Sequence, residues 1–293
     1  MEASLFGLLS ALSLGTADFT ARFTSRAFGV GRALLFSLIL ECALLSLWAL
    51  ASGLRFEAGW IFNPALLLYG ASSTVMTLLL FWGLSRGPIG VVAPIVGAHP
   101  VLVVLWQTIQ GHPISQMQTL AVILTLTGTA LVGIFARDHE APGSSGRMIL
   151  SGSIVIAIMA SFAYVVMVLS GQIVKHEIGA LETLWAGKLI SLACLLLVPV
   201  WASRSRGSGK LSSPQWLALL AFQGTMDAAG YLFLFLGSQI GGTPVVIVLS
   251  STFAAVTVIL AWLTIHERIS PLQWVGIVMV TLGTAWLTWQ STF

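Results

Sequence analysis

Ten apolar stretches, each long enough to cross a bilayer, take up almost the whole of this sequence. They run over about 4–25, 31–52, 64–85, 89–109, 116–136, 148–172, 179–202, 214–238, 243–265 and 271–290. A helix needs about 20 apolar residues to span the hydrocarbon core. A soluble domain of this size has no interior large enough to hide ten such stretches, so the solvent facing them is lipid. Composition agrees: 57% of residues are hydrophobic and only 8% are charged, against roughly 25% charged in soluble domains. Pro64, Pro214 and Pro271 stand at the starts of spans 3, 8 and 10, where a missing N–H costs nothing. The two cysteines, Cys42 and Cys194, lie inside apolar runs and suggest neither a disulfide framework nor a metal site. The first apolar run is too long for a cleavable signal peptide, and its positive charges follow it.

The few charges orient the chain. Arg22, Arg26, Arg32, Arg86, Arg137, Arg147, Arg204, Arg206, Lys210 and Arg268 follow odd-numbered spans, while the other face holds Arg55 and Lys175. The remaining basic residue, Lys188, lies within span 7. Positive residues stay on the cytoplasmic side, so both termini are expected to be non-cytoplasmic in a multi-pass protein of the cell inner (plasma) membrane. The net charge of +3 gives no reason to expect a nucleic-acid partner.

The chain is also written twice. Gly87 and Gly242, Ser115 and Ser270, Gln118 and Gln273, and Gly128 and Gly283 are each 155 residues apart in matching surroundings. The most polar connection, Arg137–Arg147, separates the copies, which suggests one repeat over 1–140 and another over 145–293. Five spans per copy is an odd number, so the second copy is inverted relative to the first. Charges fit that inversion: the turn after span 9 carries Arg268, while its partner after span 4, around His112–Ser115, has no basic residue. The expected fold class is therefore an all-α membrane protein of ten transmembrane helices, arranged as two inverted five-helix repeats. Inverted repeats are the architecture of many secondary transporters, with substrate bound near the midplane between the halves.

The stretch AWLTIHERISPLQWVG followed by TLGTA, residues 261–276 and 281–285, resembles the last two helices of the drug/metabolite transporter superfamily, EamA family. The opening GTADF, residues 15–19, is similar to a subgroup of that family. The resemblance covers nearly the whole chain. It implies ten helices in two repeats and a carrier of small metabolites, commonly an exporter of amino acids or related compounds; the aromatic amino acid exporters are the best-studied relatives. Two features depart from the family pattern. Many members have Glu-Pro in the middle of spans 4 and 9, where this chain has His99-Pro100 and Thr252-Phe253-Ala254. Many members also begin in the cytoplasm.

Ionisable groups inside spans are costly and face a cavity or a partner. There are five: Asp18, Glu41, His99, Lys188 and Asp227. Glu41 and Lys188 lie ~15 Å and ~18 Å from the inner surface at 1.5 Å per residue, on repeat-related spans, so they are candidates for a buried ion pair. The alternative is a Lys188 that snorkels outward. Asp18 stands one turn before Arg22 and is either its local partner or a cavity carboxylate for a proton or an amine. Asp227 lies ~20 Å into span 8 with no basic residue within a turn, and Tyr231 shares its face. His99 suits either an interhelical hydrogen bond or a proton relay; Pro100 beside it frees a backbone carbonyl. Trp82, Trp106, Tyr164 and Trp262 are candidates for stacking on a substrate ring, while Trp60, Trp201, Trp216 and Trp289 suit an interfacial belt. The substrate-binding candidates are thus Asp227, Tyr231, His99, Asp18, Trp82 and Tyr164.

The reading these residues favour is a secondary transporter of small metabolites, working by alternating access, with a small-molecule substrate, protons as a coupling candidate, the lipid bilayer as surroundings, and a monomer as the working unit. No cofactor or metal is implied. An intramembrane enzyme is the competing class. Gly143-Ser144-Ser145-Gly146 matches a serine-nucleophile spelling but falls in the polar linker, and no metalloprotease or phosphate-loop motif occurs. A structural membrane protein with an inert core is the third class, disfavoured by Asp227 and His99 at depth.

Overall fold

The computed structural model describes residues 2–55, 57–111, 114–135, 144–198, 213–240 and 243–290. Among them, ten helical spans are long and apolar enough to cross a membrane. The helices are α1 (Glu2–Phe28), α2 (Val30–Ala51), α3 (Pro64–Arg86), α4 (Ile89–Gly97), α5 (His99–Ile109), α6 (Gln116–Ile134), α7 (Ser144–Ile178), α8 (Ala180–Leu197), α9 (Pro214–Gln239), α10 (Thr243–Ser250), α11 (Phe253–Thr264) and α12 (Pro271–Gln290). Span 4 is α4 plus α5, and span 9 is α10 plus α11.

Both interruptions fall at the positions that depart from the Glu-Pro pattern. Span 4 breaks at Ala98, between Pro94 inside α4 and Pro100 in the first turn of α5. A proline removes a backbone donor and crowds the preceding turn. Span 9 breaks at Ser251 and Thr252, whose hydroxyls donate to the carbonyls of Val248 and Leu249 at 2.7 Å each. Competition of this kind for the helix's own carbonyls loosens the ladder.

Ends are shaped by local chemistry. Ser115 and Gln118 form a capping box at the start of α6, with the Ser115 N–H donating to Gln118 Oε1 at 2.9 Å and the Gln118 N–H to Ser115 Oγ at 3.1 Å. Ser270 and Gln273 repeat it before α12, at 2.9 and 3.2 Å. The Ser and Gln pairs of the repeat are therefore helix-start signals, each satisfying two orphan donors. Gly29 and Gly179, 150 residues apart, both carry positive φ (88° and 102°) and turn the chain between consecutive spans; only glycine adopts that backbone without strain. Span 6 exceeds the expected 148–172. It begins at Ser144 and runs to Ile178, because Lys175 and His176 in its last turn favour the negative end of the helix dipole. Ser144–Arg147 of the presumed linker is thus helical backbone, while residues 136–143, with Arg137 and Gly143, lie outside the described residues. So do His112, Trp201, Arg204, Arg206, Lys210 and Gly242.

Helix pairings recur under exchange of the halves. The counterparts are α1 and α7, α2 and α8, α3 and α9, α4–α5 and α10–α11, and α6 and α12. Where α3 packs on α7, α9 packs on α1; where α2 packs on α9, α8 packs on α3. Two pairings map onto themselves, α2 with α8 and α6 with α12. The second is a close crossing made by glycines. A Cβ on Gly276 would lie 2.7 Å from the Gly128 carbonyl oxygen, and one on Gly283 would lie 3.0 Å from that of Ala121. The chain numbers of α6 and α12 run in opposite directions along this seam, so the helices are antiparallel.

Contacts also sort the ends of the bundle. Arg22 Nη1 donates to the carbonyls of Leu84 (3.1 Å) and Gly87 (2.5 Å), and Arg26 Nε to that of Ser85 (2.8 Å). These cations satisfy the orphan carbonyls at the C-terminus of α3. Glu267, between α11 and α12, accepts from the N–H groups of Ile89 (3.1 Å) and Gly90 (2.8 Å) at the start of α4. Asn63, at the opposite end of α3, accepts from Ala65 N–H at 2.9 Å and donates to Glu177 Oε2 at 2.6 Å. Large apolar side chains cover the outside: Leu47, Phe62, Ile109 and Ile134 are all exposed, as expected where lipid is the solvent.

Candidate functional site

The centre of the bundle holds a cavity enclosing about 480 Å³ of empty space, part of it open. Its wall comes from both halves: Leu14, Ala17 and Asp18 of α1; Met76, Thr77, Leu80 and Phe81 of α3; Tyr164 of α7; Gln223, Asp227 and Tyr231 of α9; and Phe253 of α11. Much of the wall is built from positions related by the repeat. Leu14 and Tyr164, Thr77 and Asp227, and Phe81 and Tyr231 are each 150 residues apart, and all six line the cavity. The frame is shared, but the chemistry differs. The first-half positions are Leu, Thr and Phe; the second-half ones are Tyr, Asp and Tyr.

Behind this wall α2 crosses α8 and buries two charges. Lys188 Nζ lies 2.7 Å from Glu41 Oε1, with the side chains 5% and 0% exposed. At that distance the ammonium and the carboxylate form a close, charge-assisted pair. The same ammonium lies 4.0 Å from Asp227 Oδ2, whose side chain is 21% exposed, and 4.2 Å from the centre of the Tyr231 ring. A desolvated ammonium over an aromatic face gains about 2 kcal/mol. Two carboxylates and one ring thus share one cation at membrane depth. Burying such charges is stabilising only when each is matched.

The sequence candidates sort as follows. Asp18, Tyr164, Asp227 and Tyr231 meet in the cavity wall, and Glu41 and Lys188 meet behind it. Of the two readings of Asp18, the structure favours the cavity: the carboxylate lines it, while Arg22 directs Nη1 to the α3 carbonyls. Lys188 points inward rather than snorkelling. His99 does not line the cavity; its ring stacks on Tyr164 with centroids 3.7 Å apart and planes 13° apart, and Nδ1 lies 3.2 Å from the Val96 carbonyl oxygen. Its contact with the cavity wall is through the Tyr164 ring. Trp82 lies elsewhere, 39% exposed, with the Arg86 guanidinium 4.6 Å from its ring centre. Trp106 and Trp262 are also exposed on the outside, and Trp262 packs edge-on to Trp274 at 5.7 Å.

Gln223 is the residue that sequence reading missed. It is fully buried, accepts from Thr24 Oγ1 at 2.5 Å, and leaves Nε2 without a partner. It stands one turn before Asp227 on the same face, so the helical spacing that linked Asp227 to Tyr231 also pointed to it. Phe81 and Phe253 carry no charge in an apolar run and gave no signal. A second, smaller crevice lies where the breaks of spans 4 and 9 meet α12, and its wall holds no ionisable group. Among the described residues, no group of three His, Cys, Asp or Glu side chains is placed to hold a metal ion.

A bundle of ten membrane spans around a charged central cavity defines a multi-pass membrane protein built to admit a small solute. The chain belongs to the EamA-like transporter family, whose model matches residues 1–134 and again 151–289. No curated protein matches the sequence. Among solved structures, a crystal structure of a protein has a similar fold: the TM-score is 0.61 over 98% of both chains, at 17% identity.

Proposed function

We propose that the protein is a secondary transporter that exports small metabolites such as amino acids or related amines, by alternating access between two inverted repeats spanning 1–140 and 145–293. The observation that carries this reading is the central cavity, whose wall takes repeat-related residues from both halves and two carboxylates, Asp18 and Asp227, from helices α1 and α9. Substrate sites between repeats, near the midplane, are what this architecture produces. The antiparallel self-crossings of α6 with α12 and α2 with α8 support inversion, because a two-fold axis that exchanges antiparallel helices lies across them, in the membrane plane. Protons are candidate coupling ions at the two cavity carboxylates. Both repeats lie in one chain, so a monomer holds the full pseudo-symmetric pair. The Glu267 contact at the start of α4 joins the halves at the end that carries Arg22, Arg26 and Arg86; in this reading it closes the cytoplasmic entrance.

The test is flux in proteoliposomes containing the purified protein, with a panel of radiolabelled amino acids and amines, with and without an imposed pH gradient. Saturable uptake of any member, abolished in protein-free vesicles, is the expected result. Dependence on the gradient identifies proton coupling, and flux indifferent to it identifies facilitated diffusion. No flux across the panel would remove the carrier reading.

A further inference from the structure

We infer that Lys188 is a built-in stand-in for the ammonium group of the cargo, and that the cargo is a small primary amine with an apolar or aromatic body. This inference rests on the carrier reading and narrows its substrate class. The ammonium of Lys188 has two sets of neighbours. One is Glu41, 2.7 Å away and fully buried. The other is the Asp227 carboxylate at 4.0 Å and the Tyr231 ring at 4.2 Å. Only the second set lines the cavity; Glu41 and Lys188 do not. An ammonium arriving through the cavity therefore meets Asp227 and the Tyr231 face first, and these are the groups Lys188 approaches from behind. As cargo takes Asp227, Lys188 keeps Glu41.

The rest of the wall fits the same class. Phe81, Tyr164 and Phe253 supply apolar and aromatic surface, suited to the body of a small amine. The unpartnered Gln223 Nε2 offers a donor to a hydroxyl or carbonyl on the cargo. Among the described residues that line the cavity, Asp18 and Asp227 are the charged ones and none is a cation that could meet a carboxylate on the cargo.

The arrangement also answers how an empty carrier resets. An emptied cavity would leave Asp227 unmatched at membrane depth, which is expensive. Lys188, 2.7 Å from Glu41 and 4.0 Å from Asp227, shares its charge between the two carboxylates and so lowers that cost, which lets the protein return without cargo. Without Lys188 it would return only with a second amine aboard, and would exchange rather than export.

The experiment uses full-length protein, with phenethylamine as probe and phenylalanine as its carboxylated comparison. Lys188→Met alone strands the buried Glu41, so the informative protein is the Glu41→Gln, Lys188→Met double variant, which leaves no lone charge at the α2–α8 crossing. In detergent, phenethylamine is expected to raise the melting temperature of the wild type more than phenylalanine does, and to bind the double variant about tenfold tighter, the scale of one lost cation–π competitor. In proteoliposomes, the double variant is expected to keep phenethylamine–phenethylamine exchange while its net efflux into amine-free buffer falls about tenfold relative to exchange. Unchanged affinity with an unchanged ratio of exchange to net efflux would overturn the role of Lys188. A wild type that carries phenylalanine and ignores phenethylamine would overturn the amine class while leaving the carrier reading intact. If the wild type binds neither probe the amine class also fails, and the carrier reading is then decided separately by the solute panel above.

Discussion

Asp227 is the residue on which most depends. Its repeat counterpart, Thr77, occupies the same wall with its hydroxyl donating back to the Ser73 carbonyl at 2.9 Å. Threonine therefore fills this kind of position without needing anything from solvent or substrate. A carboxylate there, 21% exposed and 4.0 Å from Lys188, is an asymmetry that packing does not require. Asp227→Asn keeps the shape and removes the charge. It is expected to lower transport at least about tenfold, since a charged hydrogen bond contributes roughly 1.5–3 kcal/mol, while the protein still inserts and melts near the wild-type temperature. Normal flux through the Asn variant would move the site toward Asp18. Gln223→Leu tests the neighbouring donor: it removes an orphan polar group and the acceptor for Thr24, and is expected to weaken substrate binding more than it changes folding. A thermal melt with and without substrate separates the two effects.

At the scale of helices, the seam between α6 and α12 is the most demanding contact. Gly128 has no room for a side chain, because a Cβ there would lie 2.7 Å from the Gly276 carbonyl oxygen and 2.8 Å from Met279 Cβ. Backbone atoms cannot move aside as the tip of a flexible side chain can. Gly128→Val is expected to destabilise the protein by about 1–3 kcal/mol, the usual cost of overpacking, whereas valine at Gly133, where a Cβ would meet nothing within 4 Å, is expected to be nearly silent. Melting of the two variants in detergent compares them directly. Gly83 and Gly237 also serve close packing: a Cβ would lie 3.0 Å from Val92 Cγ1 at the first and 2.7 Å from Phe6 Cβ at the second.

For the whole molecule, the orientation in the membrane is the open question with the plainest test. Arg22, Arg26 and Arg86 gather at one end through their shared place beside the C-terminus of α3, and from the ten-to-two bias of basic residues we propose that this end faces the cytoplasm. A C-terminal fusion to a reporter that works only in the cytoplasm is expected to be silent, and one that works only outside to be active. The reverse pattern would turn the bundle over and, with it, the side on which Glu267 meets the start of α4.

The number of the spans and the rough position of each were legible in the sequence because the bilayer imposes them through composition alone, at about 20 apolar residues per crossing. The capping boxes at Ser115–Gln118 and Ser270–Gln273 were legible as an echo, since a helix start is local chemistry. Asp18, Asp227 and Lys188 stood out because a charge inside an apolar run has no neutral explanation. What only the tertiary structure decided is which face of each span turns inward. In water a polar outer face marks that direction; in lipid the outside is as apolar as the core, so periodicity cannot tell Trp82, which faces out, from Phe81, which lines the cavity beside it. The meeting of Lys188 with Glu41, Asp227 and Tyr231 across three helices likewise depends on how α2, α8 and α9 are rotated and crossed, which no single span encodes.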